Sequence, residues 1–290
     1  MRRFAPLLDD RPGLGDDGMV AGAGTLELAA RAGDGGEGSA RAALLLHGFG
    51  DTPQSVAYLA GYLNVRGWRV RAPLLPGHGR TLRAFDRATA DEWLECAAFE
   101  LARLRERHDD VVLVGQSMGG ALATILAARQ PSPSSVVLLA PYLGMPAHLR
   151  WLALSRRIWS PVAPFLSSAN EESILDADER ARSLAYGAVS GAALRQLLEV
   201  VERARSAAPR VTAPLLLVQS RRDNRIAPTV TLRAFANFGS ARKELVWTED
   251  GGHVLAADRG REWVSQLVAD WLDRELASRA VGACAGDFRM

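Results

Sequence analysis

A serine with a glycine two residues away on either side stands at Gly115-Gln116-Ser117-Met118-Gly119, between the apolar run VVLVG and a run that continues as ALATILAA. A strand that breaks at glycine and resumes as a helix turns sharply, and the side chain at the corner is displayed above the sheet edge. Both glycines follow from that geometry, because a Cβ two residues either side of so tight a turn would collide. A serine hydroxyl is too weakly acidic to attack a carbonyl unaided. It needs a base within hydrogen-bond reach and a third group to orient that base. The competing reading is a helix-capping serine in a glycine-rich turn, and the strand-helix setting makes it the weaker one.

Five histidines compete for the base. His47 precedes Gly48 at a strand end, His78 lies in the turn-like PGHGR, His108 closes a helix and His148 opens an irregular stretch. His253, in TEDGGHVL, follows the last predicted strand and so falls at the carboxyl edge of the sheet, where open α/β folds keep their sites. The orienting acid should also lie just past a strand, between Ser117 and His253 in the chain. Asp223, in LLLVQSRRDNRIAP, fits. Its rival Asp250 shares a loop with His253, and so short a separation makes approach to the far ring nitrogen awkward. Charge developing on an attacked carbonyl oxygen needs donors already in place. The N–H of Met118, at the start of the helix, is one candidate, and that of Phe49 in His47-Gly48-Phe49-Gly50 is another.

The elements that could hold these groups alternate along the chain. TLELAARA (25–32) and AALLLHG (42–48) read as a hairpin pair across a glycine-rich turn. SVAYLAGYLNVRG (55–67) has helical spacing and is followed by the strand WRVRAPLL. In ADEWLECAAFELARLRERHDD, Trp93, Ala97, Leu101 and Leu104 share one stripe, with Asp91 as the expected N-cap. VVLLAPYL (136–143), APLLLVQS (213–220) and KELVWTE (243–249) are further strands, with helices near 229–238 and in GREWVSQLVADWLDREL. Short, continuously apolar strands between helices predict the α/β class, a parallel sheet covered on both sides. From 144 to 209 helical segments such as AALRQLLEVVERA appear and no strand is evident, which predicts a helical cap insertion above the sheet. The expected division is a flexible leader over 1–24, a catalytic domain over 25–143 and 210–277, the cap over 144–209 and a tail over 278–290.

Composition removes several classes. The 290 residues carry a net charge of only +2, with acidic and basic residues interspersed, so no nucleic-acid footprint is visible. The two cysteines, Cys96 and Cys284, lack neighbours at metal-ligand spacing and are too few for a disulfide framework. A reducing compartment follows, and MRRFAPLLDD reaches acidic residues too soon for a signal peptide, so a cytoplasmic location is expected. No apolar run approaches the roughly 20 residues needed to cross a bilayer.

Taken together, HGFGDTPQSV (47–56), APLLPGHG (72–79), TADEW around Trp93, GQSMGG, RRDNRI and GGHV resemble the bacterial monoacylglycerol lipase and small carboxylesterase branch of the α/β-hydrolase family. The similarity runs from about residue 42 to 276 in the family's order of Ser, Asp, His. It implies an α/β-hydrolase fold with a cap, Ser117, Asp223 and His253 as triad, and Phe49 and Met118 as oxyanion donors. The expected activity is hydrolysis of carboxylic esters, monoacylglycerols or short-to-medium acyl esters, with no metal or organic cofactor. The alternatives on the same triad are cofactor-free perhydrolysis of the haloperoxidase type and carbon-carbon bond hydrolysis. Dehalogenase and epoxide hydrolase relatives place Asp where Ser117 stands. In AHLRWLALSRRIWSPVAPFL (147–166), apolar residues interleave with arginines. That stretch reads as a lid over Ser117, as a helix packed on the domain, or least readily as a surface for transient lipid contact.

Overall fold

The structure is a computed structural model that describes residues 13–30, 41–168 and 171–286. Seven strands form one sheet in the order β1 (Leu26–Leu28), β3 (Arg69–Ala72), β2 (Arg41–Leu46), β4 (Asp110–Gln116), β5 (Ser135–Leu139), β8 (Leu215–Ser220) and β9 (Lys243–Thr248). All neighbours pair in parallel except β1 and β3. The central strands are buried along nearly their whole length, as continuous apolar runs require.

Helix α1 (Ala57–Val65) carries the chain from β2 outward to β3, whereas α3 (Ala90–Arg105) and α4 (Met118–Ala127) carry it in the opposite direction across the sheet. Right-handed crossovers in opposite directions place their helices on opposite faces. The last helix, α10 (Arg261–Gly286), packs on α1. The short α2 (Leu82–Arg87) lies between β3 and α3, and α9 (Pro228–Asn237) links β8 to β9. Between β5 and β8 come α5 (Ala147–Leu154), α6 (Arg156–Trp159), β6 (Phe165–Ser167), α7 (Ala177–Arg182), β7 (Ala188–Ser190) and α8 (Gly191–Ala207). Helix α8 presents one apolar face and rests on α4, the helix that begins at Ser117.

Five expectations need correction. The segments 25–32 and 42–48 do not form a hairpin: β1 adds antiparallel to the outer side of β3, because both edges of β2 are taken by β3 and β4. Helix α3 is capped by Thr89 and not Asp91, with the Thr89 side chain accepting from the Glu92 N–H and the Glu92 carboxylate accepting from the Thr89 N–H. The stretch 144–209 does contain strands, since β6 and β7 pair antiparallel from Phe165 with Ser190 to Ser167 with Ala188. Three residues per strand are too few to show a period of two. The leader is structured from residue 13: Leu14 bridges Val20, the Val20 N–H donates to the Gly79 carbonyl at 2.8 Å, and Ala23 is fully buried. Its first 12 residues and the glycine-rich turn over 33–39 fall outside the described residues. At the other end, α10 continues through the expected tail to Gly286.

Candidate active site

Ser117 follows the central strand β4 with φ 55° and ψ −117°, a region that side chains of L-residues rarely adopt. The turn is as tight as the flanking glycines require. A Cβ on Gly119 would lie 2.0 Å from the Leu46 carbonyl oxygen, and one on Gly115 would lie 2.3 Å from that of Gly119. The Ser117 N–H donates to the Leu139 carbonyl at 3.0 Å, and its own carbonyl accepts from Gly120, Ala121 and Tyr142. The corner is thus fastened to the neighbouring strand and to the helix it starts.

Asp223 lies past β8, and His253 lies past β9. His253 Nε2 stands 2.8 Å from Ser117 Oγ, and His253 Nδ1 stands 2.9 Å from Asp223 Oδ2. Residues separated by 136 and 30 positions along the chain therefore form one continuous relay. Asp223 also accepts from Gln219 Nε2 at 2.7 Å and from the N–H groups of Arg225 and Ile226 at 2.7 and 3.0 Å. Burial raises its carboxyl pKa, but His253 and the two N–H groups together outweigh burial and hold it below the usual carboxylate value. The rival Asp250 is exposed, and its N–H donates to Thr248 Oγ1 within its own loop.

The loop 47–50 lies against the corner. A Cβ on Gly48 would sit 3.4 Å from Ser117 Cβ. Among the described residues no hydrogen bond takes up the N–H of Phe49 or of Met118. Both are free to meet a developing charge. His47 has its own part here. It is fully buried, its Nδ1 bonds the Gly48 carbonyl at 2.9 Å and its Nε2 accepts from the Leu75 N–H at 3.1 Å. Nδ1 therefore carries the proton and the ring is neutral. Because carbonyl and N–H point opposite ways across a trans peptide, holding the Gly48 oxygen fixes the direction of the Phe49 N–H.

Burial lowers the His47 pKa from 6.5 to about 4, and burial with the neighbouring His47 ring lowers that of His78 also. The sign follows from proton counting. Below pH 6.5 the unfolded chain binds a proton at His47 that the folded chain refuses until about pH 4. Stability is lost across that window, by roughly 3 kcal/mol for His47 alone. Urea midpoints should drop between neutral pH and about pH 4, before most carboxylates titrate, and should level off for this group below that.

Above the relay opens a cleft of about 670 Å³, within the roughly 300–1,000 Å³ of small-molecule sites. Its floor holds Ser117, His253 and Phe49. Its roof comes from 144–209: Leu149 and Leu152 on α5, Leu166 on β6, Ile174, and Leu194 and Leu197 on α8. Polar groups interrupt this apolar lining, Asp51, Arg180, Tyr142 and Arg225 among them. Tyr142, whose phenol burial pushes up to about 12, faces it, as does the Arg225 guanidinium, which donates to Ser173 Oγ and the Ser168 carbonyl. Among the described residues no group of three or more His, Cys, Asp or Glu is arranged to hold a metal ion, and no helix is long and apolar enough to cross a membrane.

Sequence reasoning passes over Gln116, Arg225 and Asp258, which act on the site through long-range bonds. Gln116 Nε2 donates to the His253 carbonyl at 2.9 Å, and Arg225 joins the Asp223 loop to Ser168 and Ser173. Gln116, inside the serine motif itself, carried a signal that spacing could have raised. The other two are ordinary loop residues by type.

Comparison with known proteins places these features. The chain is 27% identical to a thermostable monoacylglycerol lipase of Bacillus sp. (strain H-257) over 215 residues, 74% of this chain and 83% of that one. It is 24% identical to a carboxylesterase of Bacillus subtilis (strain 168) over 239 residues, 82% of this chain and 94% of that one. A solved structure from work on LipS and LipT, two metagenome-derived lipolytic enzymes, superposes with a TM-score of 0.78 at 28% identity, covering 88% of this chain and 98% of that one. Residues 38–260 match the family described as serine aminopeptidase, S33. With that match extending from the strand before the Phe49 loop to beyond His253, the chain belongs to the serine aminopeptidase S33 family and has the α/β-hydrolase fold.

Proposed function

We propose that the protein hydrolyses small carboxylic esters, monoacylglycerols and short-to-medium acyl esters among them, through an acyl-enzyme on Ser117. The observation that carries this is the pair of contacts from His253 to Ser117 Oγ and to Asp223 Oδ2. As Ser117 Oγ attacks the ester carbon, His253 Nε2 takes its proton, and the carbonyl oxygen becomes an anion between the N–H groups of Phe49 and Met118. The carbon-oxygen bond to the alcohol then breaks, and the alcohol leaves with the proton returned from His253. Water, deprotonated by the same nitrogen, attacks the acyl-serine and releases the acid. Asp223 stays anionic throughout and holds the ring with Nδ1 protonated.

Residues 144–209 serve in this reading as the cap that receives the acyl group. Each methylene buried in its apolar lining is worth about 0.8 kcal/mol. The outer side of the same segment exposes Trp151, Leu154, Ile158 and Val162, of which Ile158 is 81% exposed, beside Arg157. In this reading that side makes transient contact with lipid surfaces, which deliver the ester. The work is assigned to the cytoplasm, as two isolated cysteines suggest.

The family description raises peptide hydrolysis, and the cleft argues against it. Binding the ammonium of a free amino terminus calls for an unpaired carboxylate. Among the described residues the one acid that lines the cleft is Asp51, and the two guanidinium groups of Arg180 and Arg225 in the same lining outweigh its charge. The test is a panel of p-nitrophenyl esters of increasing acyl length, monoacylglycerols, aminoacyl p-nitroanilides, and acetate with peroxide. Ester turnover that rises from acetyl to medium acyl chains is expected. Faster cleavage of the anilides, or turnover confined to peroxide chemistry, would refute the reading.

A further inference from the structure

The relay depends on where the His253 ring stands, and the loop that carries it is tied to the sheet at two carbonyls, that of His253 by Gln116 Nε2 at 2.9 Å and that of Gly251 by Ser220 Oγ at 2.7 Å. Gly251 has φ +79° and Gly252 has no side chain, so the backbone before His253 is not stiffened locally. Its N–H groups are held by two further attachments that lead to the cap. The N–H groups of His253 and Val254 both donate to the Ser173 carbonyl at 3.0 Å. The second attachment runs through Asp258, which is 2% exposed. Its Oδ2 accepts from Gly252 N at 2.6 Å and from Leu175 N at 2.8 Å, and its Oδ1 accepts from Asp176 N at 2.8 Å and Arg259 N at 2.7 Å. One buried carboxylate thus joins the residue before the catalytic histidine to two consecutive residues of the cap.

The fit is close. A Cβ on Gly252 would lie 2.3 Å from the Glu172 carbonyl oxygen, so only glycine lets the two backbones approach this far. The same stretch of cap reaches the acid loop, where Ser173 Oγ accepts from Arg225 Nε and donates to Asn224 Oδ1. Both loops that complete the relay are therefore tied to 173–176, while Ser173 and Ile174 line the cleft. All four donors to Asp258 are backbone N–H groups. An acceptor-only group of this shape satisfies them, and an amide in its place would set an NH₂ against N–H donors.

We propose that Asp258 is a positioning residue for the reaction, clamping the His253 loop to the cap segment Ser173–Asp176 and so setting the distance from His253 Nε2 to Ser117 Oγ. The inference rests on the esterase reading of Ser117 and His253. It assigns 173–176 a fixed place in the frame of the site, so cap motion that admits substrate belongs to other parts of 144–209.

Asp258→Asn tests it, measured beside wild type and beside Leu63→Ala, a cavity variant in α1 remote from the loop. Misplacing a catalytic group by about 1 Å costs on the order of 10²-fold. In Asp258→Asn, kcat on a p-nitrophenyl ester should fall by about tenfold to a hundredfold with KM changed less than about threefold. The rate of labelling by a fluorophosphonate, which also needs the base aligned, should fall with it. Leu63→Ala should lose thermal stability and keep kcat at temperatures well below its melting point. If Asp258→Asn keeps the wild-type kcat, or loses no more than Leu63→Ala, the clamp is refuted while the esterase reading stands. If wild type itself neither turns over esters nor labels, both fall. Amide exchange on the wild-type chain needs no folded variant: the Gly252 and Leu175 N–H groups should exchange as one unit, and independent exchange would overturn the clamp.

Discussion

Ser117→Ala is expected to lower kcat for ester hydrolysis by about 10⁶-fold while leaving the melting temperature within a degree or two of wild type. The size follows from the roles assigned. Without Oγ there is no acyl-enzyme, and the Phe49 and Met118 donors are left to assist a bound water that has no fixed place to attack from. The thermal result follows from the backbone. Ser117 holds φ 55°, ψ −117° whether its side chain ends in oxygen or hydrogen, so Ala keeps the strain of the corner and the loss of one hydrogen bond to His253 is small. Ser117→Gly separates the two contributions. It should be equally inactive but more stable than Ser117→Ala, because a non-glycine residue in such a region costs about 1–3 kcal/mol and glycine gives back only part of that as chain entropy. Thermal denaturation of the pair beside ester assays checks both halves; Ala retaining turnover would remove Ser117 from the mechanism.

What could be read in the chain and what could not divides along contact range. The strands β2, β4, β5 and β8 announce themselves because a strand buried on both faces is an unbroken apolar run, and such a run needs no partner to be recognised. The serine corner is legible for the same local reason, since its glycines answer a clash within five residues. Pairing is different. TLEL and ALLL are each good strands, but which edges they join depends on Arg69–Ala72 entering between β1 and β2, and nothing in either segment records that. The cap of α3 is instructive as an expectation that failed on a local signal: Thr89 and Glu92 hold the spacing of a reciprocal cap, while Asp91, expected there, lies in the helix's first turn and serves the dipole instead. Asp258 and Arg225 are the opposite case. Their partners lie about 80 and 50 residues away at Leu175 and Ser173, and an aspartate in a loop looks solvated until the fold buries it.

The same contact range decides between the two acids that compete for the histidine. Asp223→Asn should reduce kcat by about 10⁴-fold, whereas Asp250→Asn should leave it within about twofold of wild type. In wild type all four bonds to the Asp223 carboxylate are accepted ones, from His253 Nδ1, Gln219 Nε2 and two backbone N–H groups. An asparagine there must turn its NH₂ toward one of those donors. If the amide oxygen keeps the Arg225 and Ile226 N–H groups, the NH₂ faces His253 Nδ1 and can be accommodated only by the tautomer that is protonated at Nε2. That tautomer cannot take the proton from Ser117. The depressed carboxyl pKa has a thermodynamic counterpart as well: its contribution to stability is complete above the unfolded value near 4 and is lost as pH falls through the lower folded one, so the variant should lack that acid-side loss. Asp250 is exposed, and among the described residues its hydrogen bonds lie within its own loop and none reaches the ring. Equal losses in the two variants, or a greater one in Asp250→Asn, would reassign the orienting acid and with it the proton path through His253.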